Sequence, residues 1–200
     1  MKSSKNDKFT YKVYENILTK DECNSIIEQS KHFKESITTS DTEKGNSQYR
    51  KSSTALFLSE LIEITKLRKS FAELTNTDTL QQETPISVIK YSENDYYLPH
   101  LDSFGGVGEF PHSEAGDRLI SGILYLNDNY IGGETFFKSE NIKVKGNQGD
   151  LLIWYNLNQD GSPNRNTLHE GLPVIKGVKY ITVIWAREEI ISRKYNKTIL

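Results

Sequence analysis

Apolar positions along this chain follow two periodicities, and the change from one to the other comes near residue 85. Residues 19–33, TKDECNSIIEQSKHF, begin with Thr19 and carry Glu22 three positions later, the reciprocal cap of a helix N-terminus. Cys23, Ile26 and Ile27 then fall on one face. Residues 59–74 space Leu61, Ile64, Leu67, Phe71 and Leu74 at helical intervals with charges between them, which predicts an amphipathic helix. The stretch between the helices, 34–53, is polar and aperiodic and reads as a mobile surface loop. From residue 85 the runs PISVIKY, RLISGILYLND, GGETFF, DLLIWYNL and KGVKYITVIWA, separated by Gly, Asn, Asp and Pro, read as strands. With no helical pattern among them, they predict a mainly β protein, an antiparallel sandwich or barrel with the two helices packed outside. The 200 residues fit one domain, with 1–84 as helical support and loop and 85–200 as the strand-rich part.

Composition narrows the partners. The 25 basic and 27 acidic residues, a formal charge of −2, are spread along the chain, so nucleic acid and anionic membrane surfaces are not expected. Small, weakly charged partners fit better. The single cysteine, Cys23, allows no internal disulfide, and the opening MKSSKNDKFTYK has no apolar stretch like a signal peptide, so a cytoplasmic location is expected. The longest apolar run, 119–126, is far below the ~20 residues that cross a bilayer. Nothing in the sequence sets the oligomeric state.

The candidate chemistry starts from four histidines: His32, His100, His112 and His169. In YYLPHLD, His100 and Asp102 are two apart, so on an extended strand both side chains project to the same face. An imidazole with a hard carboxylate suits divalent iron, and one distant imidazole would complete a two-histidine, one-carboxylate triad that leaves coordination positions open. His169 is the candidate, with room before it for strands that bring it back. His112, in the loop-like GEFPHSEAGD, is the competitor and reads as a surface histidine. In the last strand Lys179, Ile181, Val183 and Trp185 share one face, while Tyr180, Thr182 and Ile184 share the other. Lys179 is either a lysine starting a strand at the surface or a buried ammonium that needs an anionic partner, which a dicarboxylic cosubstrate would supply.

These residues resemble the prolyl 4-hydroxylase family of the 2-oxoglutarate and iron(II) oxygenase superfamily. His-x-Asp, GGET, then His169, Lys179 ten residues on and Trp185 six beyond that form a specific conjunction, and GDLLIWYNLNQDGSPNRNTLHEGLPVIKGVKY is similar to the family's signature block. The N-terminal half is similar more loosely, through the capped helix, RKSSTALFL and the second helix. The resemblance implies a double-stranded β-helix (jelly-roll) core and an iron- and 2-oxoglutarate-dependent dioxygenase that hydroxylates peptidyl proline, using O2, converting 2-oxoglutarate to succinate, and with ascorbate as reductant. It implies His100, Asp102 and His169 as iron ligands, and Lys179 as partner of the distal carboxylate of 2-oxoglutarate. It sets Tyr91 and Tyr125 in the oxo-acid pocket, and Tyr97, Arg118 and Trp185 at a proline-containing peptide. Two departures are Asn94, where the family has glycine, and Lys138, where it often has proline. The stretches 34–52 and 103–117 are the expected flaps over the peptide. The alternatives are a hydroxylase of free proline, another amino acid or another side chain, and a non-catalytic jelly-roll binding module.

Overall fold

The computed structural model describes residues 9–36, 49–57, 61–105 and 115–190. His112 and the middles of both expected flaps lie outside the described residues. The strands are β1 (Tyr11–Tyr14), β2 (Lys34–Glu35), β3 (Arg50–Lys51), β4 (Ser53–Phe57), β5 (Ile86–Tyr91), β6 (Tyr96–His100), β7 (Arg118–Tyr125), β8 (Ile131–Gly132), β9 (Thr135–Phe137), β10 (Ile142–Val144), β11 (Leu151–Tyr155), β12 (His169–Gly171), β13 (Val174–Lys176) and β14 (Lys179–Arg187). The helices are α1 (Lys20–Gln29) and α2 (Ile62–Thr75).

An antiparallel seven-stranded sheet runs β1-β11-β7-β14-β5-β4-β2, and a five-stranded sheet runs β10-β9-β12-β6-β3. Strands β13 and β8 form a separate pair. This is the mainly β jelly-roll core with flanking helices that the sequence implied. Both faces of the large sheet are buried, and alternation sorts its side chains between them. Val88, Leu124, Ile153 and Ile184 join Ile26, Ile64, Leu67 and Phe71 of the two helices in one apolar cluster. Ile89, Ile123, Leu152, Trp154, Ile181 and Val183 point the other way, into a second cluster with Phe137 and Val144 of the small sheet. Gly122 permits the first packing, because a Cβ there would stand 2.8 Å from the Phe71 ring.

The helix cap read from the sequence is present. Thr19 Oγ1 accepts from the Glu22 amide at 3.2 Å and the Glu22 carboxylate accepts from the Thr19 amide at 2.7 Å. Helix α1 ends at Gln29, because Ser30 is already extended, with ψ 107.

The N-terminal part differs from the expected helical support and loop by supplying four strands. β1 pairs with β11 and β4 with β5 in the large sheet. The stretch read as a surface loop is structured at both ends, where β2 pairs with β4 and β3 with β6. Two- to five-residue strands of polar composition carry no legible period; their order comes from the neighbours they pair with. Among the described residues no helix is long and apolar enough to cross a membrane.

Candidate active site

Between the sheets lies a cavity of about 590 Å³. His100 ends β6 and His169 begins β12, and the antiparallel register sets them opposite each other, with ring centroids 4.3 Å apart. Asp102 is not on the strand as the same-face argument assumed; it lies in the bend after β6. The chain turns there because the Phe104 and Gly105 amides donate to the Asp117 carboxylate, at 2.8 and 2.9 Å, instead of extending the ladder. The outcome is the same convergence. One ligand atom from each of His100, Asp102 and His169 lies within 4.8 Å of the others.

The hydrogen bonds around these groups fit a divalent metal. His100 Nδ1 lies 2.8 Å from the Leu98 carbonyl and His169 Nδ1 2.9 Å from the Thr167 carbonyl. A carbonyl only accepts, so the proton sits on each Nδ1 and each Nε2 keeps its lone pair for a metal. Burial, followed by electrostatic repulsion that any proton added there would meet from His169, pushes the His100 pKa well down, which favours the neutral ligand form. Burial would raise the Asp102 pKa, but His169, His100, Arg118 and the Ser121 hydrogen bond outweigh it and hold the carboxyl ionised, below its ordinary range. Two imidazoles and one carboxylate are the donor set of a non-haem iron(II) site with open positions.

Lys179 is 3% exposed, so the surface alternative fails. Its ammonium donates to the Gly133 carbonyl at 2.7 Å and stands 5.2 Å from the Tyr91 ring centroid. Gly133 has φ +69 and a Cβ there would crowd the lysine at 3.3 Å, so glycine lets backbone approach the amine. Burial pulls the Lys179 pKa down to about 8, against the opposing pull of Glu134. Ile181, Val183 and Trp185 line the cavity with it, as the period-two count predicts. Tyr91 also lines the cavity. Tyr125 is fully buried and set back, with its hydroxyl donating to the Val144 carbonyl at 3.4 Å; burial pushes its pKa up to about 12.

At the other end of the cavity Tyr97 stacks on the His100 ring with centroids 3.7 Å apart, and burial pushes its pKa up to about 12. The Arg118 guanidinium lies 3.7 Å over Trp185 and 4.8 Å from the Phe104 centroid. Trp185 Nε1 donates to Asp102 Oδ2 at 3.2 Å, so this ring serves the carboxylate as well as the cavity wall.

A family model of the 2OG-Fe(II) oxygenase superfamily matches residues 86–187, which span both histidines, Asp102 and Lys179. The Arabidopsis thaliana protein named "Probable prolyl 4-hydroxylase 3" is 30% identical over 196 residues, covering 86% of this chain and 67% of that one. The chain belongs to the prolyl 4-hydroxylase family of this superfamily. It spans about two thirds of that relative's length. Its fold is similar to the viral collagen prolyl hydroxylase of Paramecium Bursaria Chlorella virus-1 in complex with 2OG, with TM-score 0.71, 24% identity and 92% and 99% of the two chains covered. It is also similar to the Trichoplax adhaerens prolyl hydroxylase in complex with a hypoxia inducible factor peptide fragment, with TM-score 0.66, 18% identity and 92% and 84% coverage. As members of this superfamily do, it uses iron(II), 2-oxoglutarate and O2.

Both departures from the family pattern have local explanations. Asn94 adopts the left-handed backbone, φ 65, that glycine would supply. The Lys138 amide donates to the Leu168 carbonyl at 3.1 Å, a bond that proline would forfeit.

Sequence reasoning missed several wall residues. Glu83 accepts two hydrogen bonds from Arg118, at 2.8 and 2.7 Å, and pairs with Arg187 at 2.6 Å. Burial would raise the Glu83 pKa, but the two guanidiniums overcome it and hold it low. Counting by twos past Trp185 would have found Arg187; nothing local to Glu83 marks it. Phe104 of the wall and Ser121, Asn156 and Asp117 behind it carried no signal either, being common residues whose roles depend on partners distant in sequence.

Proposed function

We propose that the protein hydroxylates proline within a peptide, with His100, Asp102 and His169 holding iron(II) and Lys179 pairing with the distal carboxylate of 2-oxoglutarate. The observation that carries this reading is a buried ammonium in the same cavity as the His-Asp-His cluster. A charge so placed is costly without a counter-ion, and a dicarboxylate bridging metal and lysine meets both needs. Tyr91 flanks the oxo-acid, and Tyr125 backs its pocket from behind.

When bound, iron with 2-oxoglutarate and O2 oxidises a carbon–hydrogen bond to an alcohol while the oxo-acid is decarboxylated to succinate. The chain's own residues position and shield. The Nδ1 hydrogen bonds to Leu98 and Thr167 hold both imidazoles in the ligating tautomer. Ile181 and Val183 keep the floor between lysine and metal dry.

Lys179 and Trp185 are six residues apart on an extended strand, roughly 20 Å at about 3.3 Å per residue. A five-carbon diacid cannot fill that length, which leaves Tyr97, Arg118 and Trp185 for a second substrate. Two aromatic faces suit a proline ring, which is apolar and rigid. An extended, polyproline-like peptide fits because it loses little entropy on binding. The prolyl 4-hydroxylase name of the Arabidopsis relative supports the same substrate.

The test is mass spectrometry of proline-containing peptides incubated with the protein, iron(II), ascorbate and 2-oxoglutarate. One added oxygen on proline is expected. Oxygen added only to free proline or to an unrelated metabolite overturns the peptidyl reading while leaving the dioxygenase; failure to bind iron at all would favour a silent binding module.

A further inference from the structure

We infer that Ser121 and Asn156 form a buried positioning relay that aims the Asp102 carboxylate, leaving Oδ1 as the oxygen available to the metal. The inference rests on the metal-site reading above and extends it to two residues outside the ligand set. Asp102 Oδ2 receives two donors, Ser121 Oγ at 2.6 Å and Trp185 Nε1 at 3.2 Å. Oδ1 faces the His100 Nε2 atom at 3.7 Å. Both capable lone pairs of Oδ2 are thereby engaged on the protein side, and the other oxygen is turned toward the histidines.

The direction of the relay follows from donor counting. An ionised carboxylate only accepts, so the single Ser121 proton must point to Asp102. Ser121 Oγ is then an acceptor for its other neighbour, the Asn156 side chain 2.8 Å away, which must present its amide Nδ2 rather than its oxygen. The oxygen left over, Asn156 Oδ1, is buried with no hydrogen-bond partner among the described residues, a cost consistent with the side-chain amide being oriented by Ser121 rather than by its own best pairing. Ser121 and Asn156 are both 0% exposed, so no solvent competes for these bonds. Cross-strand register fixes the placement: on β7, Ser121 is paired with Trp154 of β11 on one side and Trp185 of β14 on the other. Asn156 directly follows β11, its amide bonded to the Leu119 carbonyl at 2.9 Å. This placement puts the Ser121 hydroxyl 2.6 Å from Asp102 Oδ2.

Hydrogen-bonded partners of metal ligands are typically worth about ten- to a hundredfold in metal affinity. The experiment is anaerobic titration of the metal-free protein with cobalt(II) alone, followed by its visible d–d absorption, together with thermal melting without metal. Ser121→Ala is expected to weaken cobalt binding by roughly tenfold or more and to alter the band shape, with the metal-free melting transition still cooperative. Asn156→Leu is expected to weaken it less, and to have no further effect in the Ser121→Ala background, because it acts only through the hydroxyl. Cobalt affinity and spectrum unchanged in folded Ser121→Ala overturn the relay, as does an equal loss from Asn156→Leu in both backgrounds. If Ser121→Ala does not fold, Asn156→Leu decides alone, an unchanged spectrum and affinity overturning the relay. Asp102→Ala separates the two readings: retention of cobalt affinity there sinks the metal site itself, whereas its loss beside an unaffected Ser121→Ala sinks only the relay.

Discussion

The two faces of the large sheet bury side chains about equally well but hold opposite chemistry. Toward the helices, Leu67, Phe71, Val88, Leu124 and Ile184 meet with almost nothing polar between them. Toward the small sheet, Asp102, Ser121, Asn156, His169, Lys179 and Arg187 are buried just as deeply. The first face gains free energy as it leaves water; the second gives some back, because each buried charge needs a partner to offset its lost hydration. Some of those partners are internal, as Glu83 is for Arg118 and Arg187. For the triad and Lys179, the partners under the proposed function are ligands. One face therefore holds the fold together and the other holds a site whose full stability comes with its cofactors.

The comparison predicts that damage on each face reads out differently. The largest effect is expected at the metal cluster: His169→Ala or Asp102→Ala should abolish iron binding and turnover while leaving a cooperative melt, measured by anaerobic titration and calorimetry. Unchanged iron affinity in His169→Ala would remove it from the ligand set. On the opposite face Phe71→Ala should cost about 3–5 kcal/mol of stability and leave iron affinity unaltered in the folded protein, measured by chemical denaturation and titration.

Lys179→Ala should raise the KM for 2-oxoglutarate at least roughly tenfold, since about 1.4 kcal/mol corresponds to a decade and a desolvated charge pair usually exceeds that. Its pKa of about 8, below the ordinary 10.5, gives opposite pH signatures for folding and binding. Between those values the unfolded chain binds more protons than the folded one, so Lys179 makes the metal-free protein more stable as pH rises. Over the same window 2-oxoglutarate binding should weaken as the ammonium is lost. Denaturation of Lys179→Met across that window should show the first slope reduced.

Glu83→Gln leaves two buried guanidiniums short of a counter-charge, so a loss of about 3–5 kcal/mol in stability is expected, together with a raised KM for peptide. An unchanged peptide KM would detach this cluster from the substrate. The smallest effect should come from Lys66→Ala, which breaks a half-exposed pair with Glu22 at 2.8 Å and should cost under about 1 kcal/mol with no change at the site.

By itself the sequence determined the features that depend on local rules. The Thr19–Glu22 cap, the Leu67 and Phe71 stripe and the shared face of Lys179, Ile181, Val183 and Trp185 follow from helical and strand periods. The triad was legible through resemblance: a His-x-Asp pair is weak by itself, but followed by GGET, His169 and Lys179 it matches the family's pattern. Tertiary structure alone decided where polar partners meet. β1 to β4 carry too few residues to show a period, and became strands because edges of larger ones were available to pair. The same holds for Glu83 against Arg118, and for Asn156 and Ser121 against Asp102. Each pair comes from segments 35 or fewer residues apart to which no local pattern assigns a partner. Their hydrogen bonds exist only because the packed fold brings these strand ends and bends within 3 Å, where burial makes an unmade bond costly.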